Sequence, residues 1–195
     1  MNYTHKLKNP IFKTIQVIAD ELNYPTFVVG GWVRDLLLNR IKEKTDIDFV
    51  CVGNGIKLAE KVSLKIGNKA KFTVYKNFGT AMIQYNNESY EFVGARKESY
   101  RQTSRKPIIE NGTLEDDQKR RDFTINAMYI QLNSSNYGEL IDPFNGLQDL
   151  KNKIIKTPLN PENIFCSSEI FLLSVSKFVS AKLGPFAIRK TRLPL

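Results

Sequence analysis

Two aspartates one residue apart, Asp46 and Asp48, lie in a run (residues 45–52) whose other members are apolar or β-branched. Such a run is expected to form a buried strand. Side chains alternate across a strand, so Asp46 and Asp48 share one face, while Ile47, Phe49 and Cys51 share the other. Two carboxylates held that close repel and raise one another's pKa unless a cation lies between them. Mg²⁺ accepts this arrangement, taking one or two carboxylates and completing its shell with water and substrate phosphates. The alternative is an exposed edge whose acids are merely solvated.

Upstream stands Val28-Val29-Gly30-Gly31-Trp32-Val33-Arg34-Asp35. Residues 24–29 are expected as a short strand and residues 33–38 as a helix, with the glycine pair making the tight turn between them. We expect Gly31 to need positive φ or close phosphate approach. Strand, glycine turn and helix N-terminus form an anion-binding arrangement, because free N–H groups and the positive end of the helix dipole face one spot. Arg34 adds a fork of donors suited to phosphate oxygens. A Gly-Gly turn alone is often only a turn. Followed by a two-carboxylate strand, it describes a site for a nucleoside triphosphate with metal.

With Arg120-Arg121-Asp122-Phe123-Thr124-Ile125-Asn126-Ala127-Met128 and Asp142-Pro143-Phe144 further on, the order of motifs resembles the head of bacterial-type tRNA nucleotidyltransferases. These are the CCA-adding enzymes and their relatives the bacterial poly(A) polymerases, in the polymerase-beta nucleotidyltransferase superfamily. The resemblance runs from about residue 10 to about residue 165. It implies Mg²⁺-dependent transfer from CTP or ATP to a tRNA 3′ end. Poly(A) synthesis, or a non-catalytic remnant that binds nucleotide or RNA, are the alternatives. It further implies nucleotide contacts from Gly30, Gly31, Arg34 and Asp35, from Arg120 or Arg121, and from Asn126 to the ribose, with Asp122 bracing its motif.

The implied fold is α/β: a small mixed sheet of about five strands with packed helices over residues 1–150, then a partial helical neck over 151–195. Apolar residues at helical spacing (Ile11, Phe12, Ile15, Ile18, Leu22) give an N-terminal helix, and residues 56–66 a second one. Residues 71–75, 80–85 and 89–93 are expected as strands, the last two joined by an Asn86-Asn87 hairpin turn. Glu91 stands between Tyr90 and Phe92 on the third of these strands. A buried lone carboxylate is costly unless paired or metal-bound, so Glu91 is the candidate third carboxylate of the site, a place the superfamily commonly fills from a later strand. A helix over residues 114–121 opens on Thr113 with Asp116 three residues on, a capping-box pattern.

Composition narrows the partners. With 42% hydrophobic residues in 195, a packed core is within reach, and no apolar run approaches the length of a membrane span. The N-terminus lacks the apolar core of a signal peptide, and two distant cysteines carry no disulfide framework or zinc spacing. A cytoplasmic chain is expected. His5 is the only histidine, which removes histidine-dependent catalysis. The net charge of +9 suits a polyanion partner. Residues 96–107 concentrate it, with Arg96, Arg101 and Arg105 among five basic residues, and are expected to be a mobile loop touching triphosphate or RNA.

After Phe165 the resemblance weakens, and the chain looks truncated and divergent. Family members carry an Asp and an Arg that read the base edge where this chain has Ser168 and Phe171. A phenyl ring makes no hydrogen bond, so weak discrimination among the four triphosphates is expected.

Overall fold

The computed structural model describes residues 1–41, 46–99, 108–160 and 187–188. Helix α1 (Pro10–Leu22) forms where the apolar period places it. Asn9 caps its first turn by accepting from the Ile11 amide, Pro10 occupies the first helical position, and Asn23 closes it in the left-handed conformation. Its inner face buries Phe12 and Ile15, and Phe12 packs on Trp32 and Phe49 with ring centroids 5.1 and 6.0 Å apart. Each such side chain contributes about 1.5–3 kcal/mol by leaving water.

Strand β1 (Thr26–Val29) runs directly into α2 (Gly30–Leu37), and β2 (Asp46–Cys51) carries the aspartate pair. Helix α3 (Gly55–Ile66), capped by Asn54, leads to β3 (Lys71–Tyr75), β4 (Thr80–Tyr85) and β5 (Glu88–Gly94). Asn86 and Asn87 both adopt positive φ, 51° and 61°, as a tight two-residue hairpin demands. Then come β6 (Arg96–Ser99), β7 (Ile108–Asn111), α4 (Leu114–Lys119), β8 (Tyr129–Gln131), β9 (Leu140–Ile141) and α5 (Gly146–Lys151). The expected capping box is present, with Thr113 and Asp116 satisfying each other's amides.

The strands assemble into a seven-stranded mixed sheet in the order β3-β4-β5-β2-β1-β8-β9. β2 pairs antiparallel with β1 and parallel with β5. One face carries Ile47, Phe49, Cys51 and Phe92 into the main core with α1 and α3. The other gathers Phe27, Val29, Val50, Ala95 and Tyr129 in a smaller cluster, and the aspartates open from this second face.

Three expectations change. The sheet has seven strands, not about five, because β8 and β9 are too short to show a period and exist only through pairing with β1 and with each other. Helix α2 starts at Gly30 rather than residue 33, since the turn is itself the helix's first residue. The stretch expected as loop from residue 96 begins as β6, paired antiparallel with β7, where backbone hydrogen bonds suffice without an apolar pattern. Residues 100–107, including Arg101 and Arg105, lie outside the described residues, as does the expected neck helix with Ser168 and Phe171. Among the described residues no helix is long and apolar enough to cross a membrane.

Candidate active site

The register of β2 places the acids. Asp48 is paired with Glu91 on β5 to one side and with Val29 on β1 to the other, and Asp46 is paired with Ser89. Directly opposed residues share a face, so Asp46, Asp48 and Glu91 belong to one patch. Burial pushes the half-buried Glu91 carboxyl above its ordinary pKa; Asp48 and, more weakly, Asp46 push it the same way, with the Arg96 guanidinium partly opposing them. That is the electrostatic mark of carboxylates crowded together ahead of a cation. The donors are hard oxygens, the chemistry a divalent ion of the Mg²⁺ type takes. Among the described residues no three His, Cys, Asp or Glu groups close into a metal cage.

Beside this patch lies the glycine turn. Gly30 has φ of +74°, and Gly31 does not share it, so the positive φ expected at Gly31 belongs to its neighbour. A Cβ on Gly30 would lie 3.5 Å from Asp48 Oδ2 and 3.6 Å from Arg121 Nη1. An acid from β2 and a base from the segment after α4 thus converge on one backbone position. Val29, the residue before α2, offers no side-chain cap to the first-turn amides, which leaves them suited to an anion.

Arg34 differs from expectation. The residue is only 1% exposed, and its guanidinium lies against both the 124–126 turn and Gly31, where a Cβ would sit 3.4 Å from Nη2. Its Nε and Nη2 donate to the Asp35 carboxylate at 2.9 and 3.0 Å, and Nη1 donates to Asn126 Oδ1 at 2.8 Å. Asp35 also accepts from Arg40 Nε and Nη2 at 3.0 and 2.8 Å. Burial raises the Asp35 carboxyl, but the hydrogen bonds and charges of Arg34 and Arg40 outweigh it and hold the group below its ordinary value. Asn126 Nδ2 in turn donates to Asp122 Oδ1 at 3.1 Å, and Asp122 accepts the Phe123 amide at 2.7 Å. Asp35, Arg34, Asn126 and Asp122 therefore form one chain that ties α2 to the second motif.

Sequence reasoning missed Asp117. It is fully buried, and it accepts from both Arg120 and Arg121 and from the Tyr129 hydroxyl. Burial alone would raise its carboxyl; the two guanidinium charges and the tyrosine hydrogen bond reverse that and lower it. Its spacing of three and four residues before the arginine pair was the available signal. Asp142 caps α5 by accepting the Gly146 and Leu147 amides at 2.7 and 2.9 Å, in keeping with a structural part.

A strand-borne acid patch opposed to a glycine turn and a helix N-terminus, on a mixed sheet of this order, defines a nucleotidyltransferase-type head. A family model described as the poly A polymerase head domain matches residues 26–156, and the chain belongs to that family. It is 41% identical over 152 residues to an A-adding tRNA nucleotidyltransferase of Aquifex aeolicus, covering 78% of this chain and 18% of that protein. It is 34% identical over 181 residues to a CCA-adding enzyme of Lactobacillus helveticus, covering 90% and 42%. Among solved structures, a CCA-adding enzyme in an apo form superposes with a TM-score of 0.81 at 32% identity, over 96% of this chain and 43% of that one. A tRNA nucleotidyltransferase complexed with primer tRNA and an incoming ATP analogue superposes with a TM-score of 0.73 at 35% identity, over 90% of this chain and 46% of that one. The chain spans less than half the length of each of these relatives.

Proposed function

We propose that this chain carries the head of an enzyme that transfers nucleotides from CTP or ATP to the 3′ end of tRNA, adding or repairing its CCA terminus. We assign residues 1–150 to the head that holds the site and residues 151–195 to the start of a neck, most of which lies outside the described residues. The observation that carries this reading is the convergence of Asp48 and Arg121 on Gly30, with Glu91 in register beside Asp48. It joins carboxylates for a metal to donors for a phosphate within one small region.

Asp46 and Asp48 would hold Mg²⁺, with Glu91 supporting the pair. Held by these residues, a divalent ion would supply the charge that lowers the pKa of a 3′-hydroxyl and offsets that of a pyrophosphate leaving group. The Gly30 and Gly31 amides, the N-terminus of α2 and Arg121 orient the triphosphate, so catalysis comes mainly from positioning and charge neutralisation. Arg34, Asp35 and Asp122 keep the two motifs in register, and Asn126 stands at the end of that chain to meet the ribose. Arg120 and the basic segment with Arg96, Arg101 and Arg105 supply further positive charge to triphosphate or RNA. Poly(A) synthesis is the second reading, suggested by the description of the family model. The chemistry is the same and only the acceptor and product length differ.

The direct test incubates the purified chain with tRNA lacking its CCA end, Mg²⁺ and labelled CTP or ATP. One to three added nucleotides are expected by analogy with a CCA end. Long adenylate tails would select poly(A) synthesis. Nucleotide binding without incorporation, on any acceptor, would leave a non-catalytic binding module and sink the enzymatic reading.

A further inference from the structure

Arginines close to an acidic metal patch face a problem of competition. Arg121 Nη1 and Asp48 Oδ2 both lie against Gly30, and opposite charges that close would pair directly if nothing else held the arginine. Such a pair would cover the carboxylate that a metal needs and remove the donor that a phosphate needs. In this molecule Arg121 is held elsewhere. Its Nη2 donates to Asp117 at 3.0 Å and its Nε to the Tyr129 hydroxyl at 2.9 Å, with a longer contact from Nε to Asp117 at 3.2 Å. The Tyr129 hydroxyl itself donates to Asp117. Tyr129 is rigidly placed, because β8 pairs it with Val29, the residue immediately before the glycine turn. One edge of the guanidinium is thereby fixed, and the other, Nη1, is left against the Gly30 turn.

Asp117 is 0% exposed while it anchors two arginines. Burying an acid costs several kcal/mol unless its partners restore it, and here the Arg120, Arg121 and Tyr129 donors do so.

We propose that Asp117 is a positioning residue for nucleotidyl transfer: with Tyr129 it holds Arg121 off Asp48 and aims its Nη1 at the triphosphate lying over Gly30. This rests on the reading of the site given above. Asp117 touches neither nucleotide nor metal and acts only through Arg121.

The test is a double-mutant cycle of D117N, R121Q and D117N/R121Q, read by calorimetric titration of the whole chain with ATP and with adenosine, both with Mg²⁺. D117N and R121Q should each raise the ATP Kd by about tenfold, the loss expected for a mis-set charge-assisted contact. Both should leave the adenosine Kd within about twofold, because only the phosphates meet Arg121. The double variant should bind ATP about as R121Q does, since residues acting in series do not add. Losses that multiply in the double variant, an unchanged ATP Kd in D117N, or equal losses for ATP and adenosine would overturn the proposal. Should D117N fail to fold, Y129F removes the hydroxyl from Nε while keeping the charges, and it should raise the ATP Kd by about threefold; no change would overturn the proposal as well. If the wild-type chain binds ATP no better than adenosine, the triphosphate site itself is wrong. If it discriminates while the variants do so equally, only the role of Asp117 falls.

Discussion

Two groups of aspartates in this chain meet opposite treatment. Asp35 and Asp117 are surrounded by arginines and sit below their ordinary carboxylate range despite burial. Across the glycine turn, Asp46 and Asp48 share a patch with Glu91, whose carboxyl is pushed up by burial and by its acidic neighbours. The first group has its charge balanced from within the fold. In the second, acids crowd acids, and the Arg96 guanidinium only partly opposes the push on Glu91. Scaffold and site are distinguished less by residue type than by the direction in which neighbouring charges move each carboxyl.

The contrast is broken or sharpened most directly by the same substitution on each side. Asp48→Ala should reduce nucleotide incorporation by about 10³-fold, roughly 4 kcal/mol of transition-state stabilisation. Its thermal midpoint should hold or rise, because one member of a repelling group is removed. Residual incorporation near wild type would discard the metal assignment, and a large fall in the midpoint would erase the contrast.

Asp35→Ala should behave in reverse. It removes the carboxylate to which Arg40 and the buried Arg34 both donate, which should cost about 3 kcal/mol in denaturant unfolding. A neutral result there would show that Arg34 has another adequate partner. The acid side of the stability curve sharpens the same point. Asp35 and Asp117 are depressed in the folded state, so below the ordinary value of 3.8 the unfolded chain takes up more protons. Their contribution is present above that value and is lost as pH falls through the lower folded pKa values. D117N should flatten this part of the curve.

Gly30→Ala comes next. A side chain at φ of +74° is strained, at about 1–2 kcal/mol, while its Cβ would meet Asp48 and Arg121 only at ordinary contact distance. Stability should fall by that amount, with weaker ATP binding. Gly31→Ala, which is not at positive φ, should cost less; the reverse order would relocate the turn. The smallest effect is expected at Thr113→Ala, about 1 kcal/mol from loss of the α4 cap, with activity changed only as far as α4 carries Asp117.

Much of this was legible from residue order alone. The 45–52 run, the Asn86-Asn87 turn and the Thr113–Asp116 box announce themselves through neighbours in the chain, since alternation, left-handed turns and caps are local physics. So is the family, whose motifs are short and ordered. What was not legible is where a side chain's surroundings depend on something distant. Arg34 was expected at the phosphates because a guanidinium fork suits them; its burial against Asn126, 92 residues away, was not visible. The short strands β8 and β9 carried no period of their own.

The sequence by itself therefore determined which chemistry was within reach: two carboxylates on one strand face, a glycine turn before a helix, and arginines following an acidic helix. Only the tertiary structure decided how those groups are divided. The β2–β5 register sets Glu91 beside Asp48, the packing of α2 turns Arg34 inward, and β8 brings Tyr129 to Asp117 and Arg121. Electrostatic energy depends on separation in space and on burial, and neither follows from separation along the chain.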